Sequence, residues 1–68
     1  MLPSARVEAD LRRRISEGEW APGEQLPRVA QLAAEYGTSG ATVSKVLHRL
    51  AAENLVTIIP SWGVFIPE

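Results

Sequence analysis

Leu32-Ala33-Ala34-Glu35-Tyr36-Gly37-Thr38-Ser39-Gly40-Ala41-Thr42-Val43 sets two helices against each other across a tight turn. Gly37 can take the left-handed conformation that ends a helix at Tyr36. Only Gly37 and Thr38 separate that end from Ser39, whose hydroxyl is a good N-cap for the next periodic run. Upstream, Val29, Leu32 and Ala33 make a buried stripe, and Pro27 fits the first helical turn. Downstream, Val43, Val46, Leu47 and Leu50 fall on one face, and Asn54 can close the helix as glycine would, so this second helix spans 39–53. Two helices joined this closely form a helix-turn-helix, in which the second helix is held out from the body.

Working outward, Val7, Leu11 and Ile15 recur every four residues among Arg6, Glu8, Asp10, Arg12, Arg13 and Arg14, an amphipathic helix from about Ser4 to Gly18. Trp20 is expected to fold back onto the core. Ala21-Pro22-Gly23-Glu24 reads as a turn, and Gln25-Leu26 is long enough only for a scrap of strand before Pro27. On the other side, Leu55-Val56-Thr57-Ile58-Ile59 is a β-branched strand, Pro60-Ser61-Trp62-Gly63 turns it, and Val64-Phe65-Ile66 returns. The fold class is mainly α with a small β-hairpin: a winged helix-turn-helix of three helices, with a two-stranded wing over 56–66.

Sixty-eight residues, 46% of them hydrophobic, suit one compact core near the lower size limit for a domain. Residues 1–68 are therefore read as a single domain with no effector domain, either a fragment or a complete small protein. The chain has no cysteine, which removes disulfides and thiolate metal sites. No apolar run approaches membrane-spanning length and no signal peptide is legible, so a cytoplasmic protein is expected. The mixed charge of the first helix also argues against membrane-surface binding. The net charge of −1 means that any nucleic-acid contact is local. His48 is the sole histidine and would need carboxylates alone beside it to hold a metal, so no metal or cofactor is expected. The serines lack a histidine–acid partner at a suggestive spacing, there is no glycine-rich phosphate loop, and no room exists for a substrate cleft, so the chain is not read as an enzyme.

Four segments carry a specific resemblance: Gly18-Glu19-Trp20-Ala21-Pro22-Gly23-Glu24-Gln25-Leu26-Pro27, Leu32 through Ser39, Thr42-Val43, and Leu50-Ala51-Ala52-Glu53-Asn54-Leu55-Val56. In order and spacing the chain resembles the N-terminal domain of the GntR family of bacterial transcription regulators, over nearly its whole length. The resemblance implies a winged domain that dimerises on a palindromic operator, usually ahead of a C-terminal effector or oligomerisation domain. It also exposes departures. The family commonly has a capping serine after the Leu-Pro pair and an arginine two positions later; Arg28 and Ala30 stand there. At the start of the recognition helix the family's two arginines are replaced by Gly40 and Ser44. The wing's basic residue is replaced by Trp62, within Ser61-Trp62-Gly63-Val64-Phe65-Ile66.

Two functions fit this pattern. In the first, the chain is a transcription regulator of the repressor type that binds double-stranded DNA as a homodimer, with recognition helices about one helical turn apart on a palindrome. Gly40 and Ala41 allow close approach, Ala41 can touch a thymine methyl, and the hydroxyls of Ser39, Thr42 and Ser44 meet phosphates or base edges. Lys45, His48 and Arg49 supply charge, Arg28 a phosphate contact, and Trp62 and Gly63 the wing tip. In the second, the fold serves as a protein-interaction module with Trp62 as an exposed aromatic anchor. Bland roles stand beside these: His48 as a plain surface residue, Arg12, Arg13 and Arg14 as a solvated helix face, and Trp62 packed down on Ile58 or Phe65. No small-molecule effector site is expected in this chain.

Overall fold

The computed structural model describes residues 3–68; Met1 and Leu2, which the single-domain reading includes, lie outside them. The order is helix α1 (Ser4–Ser16), helix α2 (Val29–Tyr36), helix α3 (Gly40–Ala52), strand β1 (Thr57–Ile59) and strand β2 (Gly63–Phe65). None of the described helices is long and apolar enough to cross a membrane.

The core sits where the three helices meet. Val7 and Leu11 from α1, Leu32 from α2, and Val43, Val46, Leu47 and Leu50 from α3 are all 0–1% exposed. Trp20, Leu26 and Val56 close the cluster from the connecting segments. The apolar periodicity thus identifies the buried faces correctly, Trp20 included.

Ends of elements differ from the sequence reading for local reasons. The first helix stops at Ser16, two residues short of Gly18: the Glu17 N–H still bonds Arg13 O, but Gly18 N–H bonds Ile15 O and Glu19 N–H bonds Arg14 O, and Gly18 takes φ +78. That is the left-handed exit glycine permits. Pro27 is not in the first turn of the second helix. It precedes the cap, and Arg28, extended at ψ 156, is the N-cap of a helix that begins at Val29. The missing serine cap is half replaced: Gln31 Oε1 accepts from the Arg28 backbone N–H at 3.0 Å, whereas a guanidinium has no acceptor to offer in return. Gly37 closes α2 at φ 61, and Ser39 caps α3, its Oγ accepting from Thr42 N–H at 3.2 Å. Ser39 and Glu53 are the caps of α3, and Asn54 follows at φ 62 as the left-handed exit.

The strands are shorter than read and shifted at one end. Leu55 and Val56 lie outside β1, and Ile66 outside β2, which starts at Gly63. Thr57 pairs with Phe65, Ile58 with Val64 and Ile59 with Gly63 in an antiparallel hairpin. The scrap of strand at Gln25 is real and docks on the far edge of β2. Gln25 bridges Phe65, Leu26 N–H donates to Val64 O at 2.8 Å, and Ile66 N–H donates to Glu24 O at 2.9 Å. This edge pairing ties the wing to the segment that leads into α2 and so fixes the wing's position relative to the helix-turn-helix.

Candidate nucleic-acid interface

The first helix carries four of the chain's seven Lys and Arg residues, and the fold uses three of them internally. Arg12 bonds Glu8 at 2.7 Å and also pairs with Glu53 at the end of α3. Arg13 pairs with Asp10 at 2.7 Å and Glu17 at 2.9 Å on the exposed face, where such pairs contribute little. Arg14 departs most from the solvated-face expectation. Its side chain is 13% exposed, salt-bridged to Glu19 at 2.6 Å and Glu35 at 2.5 Å. The guanidinium also donates to the Tyr36 hydroxyl at 2.8 Å and lies 4.8 Å from the Trp20 ring centroid. This side chain staples α1 to the 18–20 turn and to the end of α2.

Tyr36 completes the staple by donating to Asp10 Oδ2 at 2.5 Å. The bond from Tyr36, then that from Arg13, holds Asp10 below the ordinary carboxylate range. Burial, and then the same bond to Asp10, push the Tyr36 phenol up to about 12. A phenol whose pKa is raised on folding contributes stability that is fully present below the unfolded value near 10 and is lost as pH rises from there through 12. Urea unfolding at pH 9 and pH 11.5 is expected to show that loss, and Tyr36→Phe to flatten it. An equally steep loss in Tyr36→Phe would disprove the assignment. The chain has a single tyrosine, so tyrosinate absorbance reports the same titration directly.

The acids that neutralise these arginines leave few carboxylates elsewhere: Glu24 lies in a cleft with Arg28, and Glu68 in one with Ile59. From Gln25 to Pro67 only Glu35 and Glu53 are acidic, and both are turned to α1, onto Arg14 and Arg12. Among the described residues, Arg28 and Lys45 have no carboxylate partner, and Arg6 on α1 is the one other unpaired cation. A net charge of −1 therefore conceals a polarised molecule.

The sequence-derived site residues fall into three groups. On α3, Ala41, Lys45, His48 and Arg49 are exposed, with Gly40, Thr42 and Ser44 half-buried beside them. His48 Nδ1 lies 2.8 Å from the Ser44 carbonyl; the carbonyl can only accept, so Nδ1 carries the proton and Nε2 is free to face outward. Ser39 is spent on the cap: its Oγ also donates to Thr42 Oγ1 at 3.0 Å, which leaves the Thr42 hydroxyl proton available. Arg49 is drawn sideways to Glu8 of α1 at 3.2 Å. Glu8 is held below the usual carboxylate range, by Arg12 first and Arg49 second.

The second group is the start of α2. A Cβ built on Gly40 would meet Val29 Cγ1 at 3.5 Å, so position 40 faces Val29 and the two helix starts are packed together. The third group is the wing tip, which shares a cleft with the start of α2, lined by Arg28, Val29 and Ala30 on one side and Ile58 to Val64 on the other. Trp62 is 73% exposed and does not pack down on the hairpin. The start of α3, the start of α2 and the wing tip thus form a continuous row, with Arg28 at the start of α2 facing the wing tip across the cleft.

Two residues of this row escaped the sequence reading. Ile59 is 41% exposed at the tip, beside Trp62; the alternation that puts Ile58 inward and Ile59 outward was there to be used. Gln25 reaches across with Nε2 donating to Trp62 O at 3.0 Å, a contact over 37 positions for which the sequence offers no signal.

The sequence model for bacterial regulatory proteins of the gntR family matches residues 3–66. The chain is 30% identical to the histidine utilization repressor of Klebsiella aerogenes, over 93% of this chain and 26% of that protein. It is 41% identical to the HTH-type transcriptional regulator TreR of Bacillus subtilis, over 84% of this chain and 24% of that protein. It spans about a quarter of the length of these curated relatives. In three dimensions it superposes on the AraR DNA-binding domain in complex with operator ORE1 with a TM-score of 0.88 at 27% identity, covering 97% of this chain and 82% of that one.

Proposed function

The chain belongs to the gntR family of bacterial regulatory proteins, and on that premise we propose that it is the DNA-binding unit of a transcription regulator of the repressor type. The exposed face of α3 enters the major groove, Arg28 meets the flanking backbone, and the wing reaches beyond it. The observation that carries this reading is the row itself: two helix starts and a wing tip side by side, free of carboxylates, with Arg28 and Lys45 unpaired. The operator complex of the AraR domain and the repressors among the relatives support it.

On this face Lys45 and Arg28 neutralise phosphates and Ala41 offers a methyl to thymine. Two unpaired cations release few counterions, so one copy binds a half-site weakly and two copies on a palindrome are needed for useful affinity. Selection of duplexes from a random library, followed by anisotropy titration of the best sequence over a range of salt, tests the proposal. The expected result is a palindromic motif. Lys45→Ala and Arg28→Ala should each flatten the slope of log affinity against log salt by about 0.9. No enrichment, with slopes unchanged in both variants, would sink it.

A further inference from the structure

Among the described residues, the two large apolar side chains left in water are neighbours: Ile59 and Trp62 flank the same turn. Single exposed apolar residues are ordinary, but a paired aromatic and aliphatic at a projecting tip mark a contact surface. The backbone under the indole is fixed from both sides. Trp62 N–H donates to Ile59 O at 3.0 Å, closing a turn with Pro60 in its second place and Ser61 at φ 70 in its third. Gln25 Nε2 holds Trp62 O. With the backbone braced beneath a 73% exposed ring, binding at this tip forfeits little backbone entropy.

What the anchor meets follows from its surroundings. The cleft it shares with the start of α2 holds no carboxylate and one charged side chain, Arg28, while Glu68 lies in the cleft on the other side of Ile59, away from Trp62. A helix seated in the major groove brings elements beside it across one phosphate backbone to the adjoining minor groove, with Arg28 at the crossing. Resting on the DNA reading above, we propose that Trp62, backed by Ile59, is an apolar wedge that enters the minor groove and partly unstacks one base step. An indole carries no code for base edges, so the wedge reads deformability and favours pyrimidine–purine steps such as TA or CA, which unstack most easily.

Trp62 fluorescence on a selected duplex tests this, because the only other tryptophan, Trp20, is buried and Trp62 supplies the red edge of the emission. Saturating duplex is expected to quench that emission. Trp62→Ala, its fold checked by circular dichroism, should weaken binding at least about fivefold, the lower end of aromatic–base stacking. It should also reduce the bend between dyes on the duplex ends while leaving the salt slope unchanged, since no phosphate contact is lost; Trp62→Phe should retain most of the bend. Duplex binding with unquenched emission and an unaltered bend in Trp62→Ala overturns the wedge alone. Unchanged DNA affinity in Trp62→Ala with loss of self-association in sedimentation also overturns it and gives the tip to a second copy of the chain. A wild-type chain that binds no duplex overturns both the wedge and the regulator reading.

Discussion

Truncating Leu47 to alanine is expected to destabilise the domain by about 2–5 kcal/mol, the range for deleting three heavy atoms from a packed core site. Leu47 is 1% exposed, on the inner face of α3 among Val43, Val46 and Leu50. A chain of this size has a total stability of only about 3–10 kcal/mol by the usual allowance per residue, so this one cavity removes a large part of it. The melting midpoint should fall by roughly 10 °C or more, given about 4–8 °C per kcal/mol for domains of this length. The same core sets the angle at which α3 leaves the body, so DNA binding falls with the fold. Leu47→Met keeps volume and should retain both, at a cost below about 1.5 kcal/mol. Ala52→Ser, on the exposed face of the same helix, serves as a control within about 0.5 kcal/mol. Thermal melts by circular dichroism decide it: a Leu47→Ala midpoint within a degree or two of wild type would mean the three-helix junction is not the principal core.

The contrast between what the sequence disclosed and what it withheld follows the range of the interactions involved. Helix faces, the Gly37 exit and the Ser39 cap are set by neighbours within four residues, and each could be read from spacing alone. Boundaries were less legible. Whether Pro27 lies inside or outside the first turn of α2 depends on Arg28 being held extended, and that in turn depends on Leu26 being hydrogen-bonded to Val64 of the wing. The charged residues were the least legible. Arg12, Arg13 and Arg14 look alike in sequence, yet one is tied to α3, one is exposed and one is a half-hidden staple between Trp20, Tyr36 and two glutamates. Partners 21 to 41 positions away decide the difference. The same holds for the candidate interface: the row of helix starts and wing tip emerges only once the Gly40–Val29 approach and the Arg28–Trp62 cleft are known.

That row also shows what was given up where the chain departs from its family, and it makes Ser44→Arg the most informative gain-of-function change. Ser44 is half-buried in the first two turns of α3, one residue before Lys45, and among the described residues its hydroxyl takes part in no hydrogen bond. An arginine there restores the residue type found in the family pattern, next to Lys45 and on the opposite side of the helix from the Arg49–Glu8 pair. No carboxylate on α3 or the wing competes for it, unlike Arg49, which Glu8 already engages. A bidentate guanine contact contributes about 1–3 kcal/mol, so affinity for a duplex with guanine at the matching place should rise about tenfold or more. A purely phosphate contact would instead raise affinity for all sequences and steepen the salt slope by about 0.9. Repeating the duplex selection with Ser44→Arg separates these: guanine appearing at one symmetric pair of positions identifies position 44 as a base reader, and a uniform gain identifies it as a backbone clamp. No gain of either kind, with the fold intact by circular dichroism, would place α3 away from the major groove and remove the ground on which Lys45 and Ala41 are assigned to DNA.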